Sequence, residues 1–459
     1  MNLINKKIKI SLILIITIFS LKAQDTISFT TVENKTLEYY YQGNWDSLII
    51  IGNIALKNNH DYFYLRLRVG VAYYNIGKFN KAIAHLEKAY KQISDNEVCN
   101  EFLYLSYKNA GRTADAEYFS KLLNDYTLKR VNYHKKPFIS SLYLESGISP
   151  ASNYIPNSNL EPNTTSELST KQDLLGYGFL GVTHQLNSKL LLFHGVSFLL
   201  SNNTFNSIQR DVFNPNLLKS YASQNSTSQI QYYINPRYTI SKGLVFSSFI
   251  HYLSVNGNTI TPQQDTLSQN LIFNKTNFKF NDFVGGFQIE KYYRNLVFTG
   301  GLSFNKLNNI KIIQGQIGTT WFPFSNANFY INGSLFVNRT LSSTPAEFEK
   351  TKTFYSGKIG GKIYKRLWAE ASLYEGNIQN SHLNDGFLIF NSNDNYSRMA
   401  NGMVMLAFNK FNISLRYQYS DKIAPLASNF INSNLVIETI TKQYKYQKHT
   451  LTGGILWNF

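Results

Sequence analysis

Cysteine is almost missing from this chain. Among 459 residues only Cys99 carries a thiol, so no disulfide can form within it. Long apolar runs are missing too. Nothing approaches the roughly 18 consecutive apolar residues of a transmembrane helix; the run Ile10 to Leu21 is short and broken by Ser11, Thr17 and Ser20. Proline is sparse, at 10 residues, and acidic residues are outnumbered 28 to 45 by Lys and Arg, for a net charge of +17. Catalytic constellations are lacking as well. No G-x-S-x-G elbow occurs, no glycine loop is built to cradle phosphate, and the 8 histidines are scattered with no metal-ligand spacing. His194 with Ser197, and His251 with Ser254, are three apart, which puts each pair on opposite faces of a strand. The sequence therefore predicts no enzyme, no cofactor and no metal site.

Aromatic residues are abundant: 32 Tyr and 33 Phe help bring the aromatic share to 15%, yet the mean hydropathy is only −0.25. That combination is expected when every second residue faces lipid and the rest face water. At the start of the chain, Lys6, Lys7 and Lys9 precede the short apolar run, and Ala23 offers a cleavage point. This reads as a secretory signal over 1–23. No cysteine follows it, which argues against a lipoprotein signal. A basic secreted chain has anionic lipid or an anionic glycan as its natural partner, not nucleic acid.

Residues 24–130 carry a repeat of period 34. Tyr39, Tyr73 and Tyr107 are in register, as are Gly43, Gly77 and Gly111. Trp45, Phe79 and Thr113 follow, then Leu48, Ala82 and Ala116, then Ala55, Ala89 and Leu123; Gly70 completes the middle copy. Small residues allow helices to approach, glycine turns the chain between them, and aromatics fill the seam. The pattern resembles the tetratricopeptide repeat, with three copies forming an α-helical solenoid. Arg66 departs from it, standing where a tryptophan or leucine is common. The resemblance implies a groove that binds a periplasmic protein or peptide. Residues 131–137 read as a basic linker, either a solvated loop or a contact with an anionic leaflet.

From Phe138 the period becomes two. Phe411, Ile413, Leu415, Tyr417 and Tyr419 alternate with polar residues, and Leu296–Asn305 and Asp282–Glu290 do likewise. Fourteen strands are expected over 138–459, from 138–147 to 443–459, with twelve or sixteen as alternatives. Their connections alternate: 148–173, 202–226, 256–276, 340–350, 377–395 and 421–442 are long, while Asn187-Ser188, Ser241–Gly243, Arg294-Asn295, Lys365-Arg366 and Asn409-Lys410 are tight. Long outer loops and short inner turns mark a transmembrane antiparallel β-barrel. The short link Lys306–Asn309 breaks the rule. Of the prolines, only Pro236 falls inside an expected strand.

The alternation sends Arg237, Asp282, Glu290, Lys358, Lys362, Glu370 and Arg416 into the lumen. Such charges serve either as ion pairs within the wall or as a path or surface for an anionic substrate. The chain closes on Thr452, Gly454, Trp457 and Phe459, with both aromatics on one strand face. This ending resembles the C-terminal signal read by barrel-assembly machinery. The domain order resembles outer-membrane barrels with an N-terminal periplasmic tetratricopeptide domain, among them YaiO-like barrels, exopolysaccharide export porins and surface lipoprotein assembly modifiers, whose barrel is also fourteen-stranded. That resemblance implies an outer-membrane protein that transports or exports a substrate while the helical repeats recruit a partner. The alternative is an assembly accessory with a plugged barrel.

Overall fold

The structure is a computed structural model that describes residues 27–155, 159–211, 214, 216–264, 271–341, 350–392, 394–431 and 437–459. The expected signal segment and Asn432 lie outside them. The chain forms two compact units, Met1–Ser106 and Tyr107–Phe459.

The first unit is helical. Helices α1 (Phe29–Gln42), α2 (Trp45–Lys57), α3 (Phe63–Asn75) and α4 (Phe79–Gln92) are followed by α5 (Glu97–Asn109). Ser28 and Asn44 cap α1 and α2, their side chains accepting from the amides of Thr31 and Ser47. The 34-residue period has a local cause. Gly43, Gly77 and Gly111 sit at φ of 66°, 74° and 75°, and the amide one residue later donates to the carbonyl of Tyr39, Tyr73 or Tyr107 at 2.9 Å each time. This is the six-to-one bond of a Schellman C-cap. Ala55, Ala82 and Ala89 are fully buried. Gly70 is needed for packing: a Cβ there would fall 2.6 Å from Leu86 Cγ. Arg66 is buried, holding Asp61 at 2.6 Å and reaching His85 Nδ1 at 3.2 Å. The helical solenoid expected from the sequence is, in the structure, a small run of helices recurring at that interval.

In the second unit α6 (Thr113–Ser120) and α7 (Asp125–Arg130) precede the sheet. The wall strands are β1 (Ile139–Ser149), β2 (Thr164–Gln185), β3 (Leu190–Arg210), β4 (Leu218–Ser241), β5 (Leu244–Gln264), β6 (Leu271–Tyr293), β7 (Leu296–Leu307), β8 (Ile310–Trp321), β9 (Phe329–Thr340), β10 (Thr351–Tyr364), β11 (Leu367–Gly376), β14 (Asn395–Ala407), β15 (Phe411–Ile431) and β16 (Ile437–Asn458). They close into one antiparallel barrel in chain order, β1 meeting β16. Fourteen strands is the expected number. The outward face carries the apolar alternation, for example Leu144, Leu180, Val196, Ile230, Ile250, Leu302, Leu335 and Leu415, all exposed. This is the lipid-facing band of a membrane-spanning barrel.

Two expectations about the connections change. Much of 148–173, 202–226, 256–276 and 421–442 is not loop. Hairpins β2–β3, β3–β4, β5–β6 and β15–β16 run on as paired strands beyond the expected ends, through stretches rich in Ser, Thr, Asn and Gln on both faces. The segment 377–395 does not loop outward at all. It folds into the lumen and forms the short hairpin β12 (Ser381–Leu383) and β13 (Leu388–Phe390).

Prolines follow the bonding. At Pro236 the β4–β5 register is interrupted between Ile234 and Arg237, and the Asn235 side chain donates to Ser248 O at 2.8 Å in place of the missing amide. Pro262 and Pro425, expected outside strands, lie in β5 and β15. Strand β15 leaves β14 at Ile423 and joins β2 from Ala427, so Pro425 sits where that edge has no neighbour.

Candidate functional site

The lumen is the candidate site, and the inserted hairpin dominates it. Its turn, Asn384-Asp385-Gly386, has three consecutive left-handed residues at φ 51°, 55° and 76°. Only glycine fits at the third, since a Cβ on Gly386 would lie 2.4 Å from the Phe249 ring. The residues around the turn are apolar, and burying them drives the hairpin inward. Ile378, Leu383 and Phe390 pack with Phe336, Phe354, Tyr374 and Met399 on one side. Phe387 and Ile389 pack against Tyr233, Phe249, Val284 and Leu307 on the other.

Polar bonds tie the hairpin across the lumen. His382 Nε2 meets Ser303 Oγ at 2.6 Å, and Gln314 donates to His382 O at 2.8 Å and accepts from its amide at 3.1 Å. Tyr233 donates to Asp385 O at 2.8 Å, and His251 Nδ1 lies 2.7 Å from Gly386 O. At the neck, Asn308 donates to Asn380 Oδ1 and Asn391 O, while Asp282 accepts from the Asn308 amide and the Asn391 side chain. The short Lys306–Asn309 link is thereby explained, as its turn meets the neck of the hairpin. The seam is polar and incompletely bonded: His251 Nε2, His382 Nδ1 and both side-chain polar atoms of Asn305 and Asn338 are buried with no partner among the described residues.

Burial pushes the Asp385 carboxyl up to about 6, with the charge of Glu290 adding to it and Arg237 opposing. Burial, then the neighbouring His251, lowers His382 to about 3. In the seated hairpin His382 is therefore neutral at ordinary pH, and Asp385 keeps its proton until pH rises through about 6.

The expected lumen charges fall into place as follows. Arg237 pairs with Glu290, Lys358 with Glu370 at 3.3 Å, and Arg416 with Glu145 at 3.9 Å. Asp282 is fully buried at the hairpin neck. Lys362 stands apart, exposed at the turn end of β10. Glu145 was overlooked although the alternation of Ser141, Tyr143, Glu145 and Gly147 marks it. His251 faces the lumen while His194 bonds His184 at 3.0 Å, so neither histidine shares a face with its nearby serine. Thr452 turns into the lumen, and Trp457 and Phe459 are exposed together on the opposite strand face.

Beside the hairpin lies a cavity of about 250 Å³ lined by Leu175, Leu199, Tyr374, Phe387, Met403 and Lys448 among others. A wider space of about 780 Å³ opens at the short-turn end, between α6 and the turns. There Asp115 accepts from the Gly243 amide, Lys121 donates to Ser188 at 3.0 Å, and Arg112 lies over Tyr292 at 5.3 Å.

No family model matches the chain, and no curated protein matches it. Among solved structures it is similar to the Pseudomonas putida toluene transporter TodX, at 9% identity over 73% of this chain and 92% of that one, with a TM-score of 0.41. A Pseudomonas aeruginosa FadL homologue gives 10% identity over 70% and 90% with a TM-score of 0.42. The Ralstonia pickettii toluene transporter TbuX gives 5% over 70% and 90% with 0.43. The fourteen-stranded closure stands on this chain's own strand order.

Proposed function

We propose that this protein is an outer-membrane transport barrel whose lumen is closed by the 377–394 hairpin, and that passage requires the hairpin to move. The observation that carries this reading is the polar seam. A plug meant to be permanent would bury apolar surface throughout; this one leaves buried polar atoms of His251, Asn305, Asn338 and His382 without partners among the described residues. Each such atom costs about 1–3 kcal/mol when dry, and water entering an opened lumen removes that cost. Helix α6 rests against the short turns, which supports a periplasmic location for the helices. The terminal aromatics support recognition by assembly machinery, and the helical repeats are proposed as the docking element for a periplasmic protein or peptide.

The two apolar clusters holding the hairpin favour a second reading, a plugged barrel that anchors the helices and conducts nothing. Planar-bilayer recordings separate the two. A gate gives a wild-type protein that switches between closed and open levels, and a variant with 379–392 replaced by a short Gly-Ser link that stays open. A silent wild type with an open deletion variant would favour the anchor. Migration on unheated gels reports whether each barrel has folded.

A further inference from the structure

We propose that the cavity beside the lumen hairpin binds a small organic carboxylate, with the Lys448 ammonium as its anion-binding group. The inference deepens the transport reading by naming a substrate class, and rests on it only for the ligand's route.

The argument starts from charge. Five charged residues line the cavity: Glu145, Lys358, Glu370, Arg416 and Lys448. Four of them neutralise one another, Lys358 with Glu370 and Arg416 with Glu145. Lys448 has no carboxylate within ion-pair distance among the described residues. It is 6% exposed, and its hydrogen bond goes to a neutral acceptor, Gln172 Oε1, at 2.7 Å. A second ammonium is close by in sequence register. Lys422 faces Tyr446 across the β15–β16 ladder and Ser420 faces Lys448, so the two lysines are diagonal neighbours on one face. Lys422 is 2% exposed. It uses the nearby carboxylate, Asp394, at 3.8 Å, and lies 4.2 Å from the Tyr396 ring. Asp394 also accepts from Tyr446. Of the two buried amines only Lys422 has a carboxylate in reach, and holding Lys448 as an ammonium without a counter-charge is expensive. An anion beside Lys448 removes that expense.

The surroundings of Lys448 describe the anion. Behind the lining, Gln172 accepts from Lys448 through Oε1, and its Nε2 is buried with no acceptor among the described residues. An ammonium with an adjacent idle amide donor suits the two oxygens of a carboxylate. The lining away from Lys448 is mixed: Leu175, Leu199, Phe387 and Met403 give it an apolar part, and Gln231, Asn401 and Thr450 a polar one. The apolar part suits a small carbon skeleton, which inorganic phosphate lacks. The volume of about 250 Å³ limits the skeleton to a small one.

The test is titration calorimetry on the full chain in uncharged detergent, with benzoate, benzamide and inorganic phosphate as probes. Saturable binding of one benzoate, at least tenfold tighter than benzamide or phosphate, is expected. Lys448→Met should weaken benzoate at least tenfold, Lys448→Arg should retain it, and the outward-facing Lys445→Met should leave it unchanged. Equal affinity for benzoate and benzamide overturns the anion site. Equal affinity for benzoate and phosphate overturns the organic class. A Lys448→Met protein that shows heat-shifted mobility and still binds benzoate overturns the residue assignment. Because binding is read without conductance, a silent barrel that binds benzoate refutes the transport reading alone, and a gated barrel that ignores benzoate refutes this inference alone.

Discussion

Low on the lumen wall six charges pair with one another, whereas further up a buried lysine is left without a carboxylate. Arg237–Glu290, Lys358–Glu370 and Arg416–Glu145 form a ring in which every cation has a carboxylate. Above it, Lys422 takes Asp394, and Lys448 has only the neutral Gln172. The same two residue types line one tube, so composition alone cannot tell wall from site. The distinction is whether the charge is already answered. A paired charge fixes neighbouring strands and has little left to offer a ligand, while an unanswered one awaits a partner. The hairpin lies between these zones, its tip near Glu290 and its neck residue Asp394 beside Lys422.

The sharpest way to break the comparison is at the neck. Asp282 is an anion answered by two donors, the Asn308 amide and the Asn391 side chain, without any cation in the bond. Asp282→Ala strands both. If it costs the seated hairpin about 2 kcal/mol, the open fraction rises roughly thirtyfold, seen as longer open dwells in bilayer recordings. An unchanged dwell time would show that the neck does not hold the gate.

A smaller effect is expected from the ring itself. Glu290→Gln leaves Arg237 without its carboxylate. Arg237 is 36% exposed at the side chain, so the loss should be about 1 kcal/mol, well under that of a fully buried pair. Lys448→Met removes an unanswered charge and should be neutral or stabilising. Urea unfolding in lipid vesicles measures both. Equal destabilisation by the two variants would erase the contrast between answered and unanswered charge.

Much of this was legible in the sequence, and the reasons differ by region. The alternation of Phe411–Tyr419 and Leu296–Phe304 fixes strand, face and lumen phase together, because a strand has one side-chain period and a membrane reads it strictly. Hence fourteen strands, and hence the inward placement of Arg237, Glu290, Lys358 and Arg416. The spacing of Gly43, Gly77 and Gly111 revealed the helix ends, since a left-handed cap demands glycine locally. The hairpin was not legible. Its pattern, Ile378, Leu383 and Leu388–Phe390 among Asn and Asp, resembles an outer loop in length, and only the apolar content hinted at burial. The strand extensions were hidden for the opposite reason: unbroken runs of Ser, Thr, Asn and Gln, such as 224–229, carry no hydrophobic period. The unanswered state of Lys448 depends on tertiary distances that no spacing encodes.

The smallest expected effect in the wild type is also the most discriminating. Two titrating groups ride on the hairpin with opposite signs. Asp385 is raised to about 6 from the ordinary 3.8, so it favours the seated state below the ordinary value and loses that favour as pH rises through about 6. His382 is lowered to about 3 from 6.5. It favours seating above 6.5 and loses that favour as pH falls toward about 3. In the wild type the two oppose each other across the same window, and the open fraction should change little between about pH 5 and about pH 7. Asp385→Asn removes the first contribution, so its open fraction should rise on acidification relative to wild type. His382→Gln removes the second and keeps a side-chain acceptor for Ser303, so its open fraction should rise on alkalisation. His251, which touches Gly386 O from the wall, is unchanged in all three proteins and drops out of the comparison. Variants that shift together, or not at all, would mean that the hairpin's ionisable groups do not feel its seating, and that the gate, if it opens, opens elsewhere in the lumen.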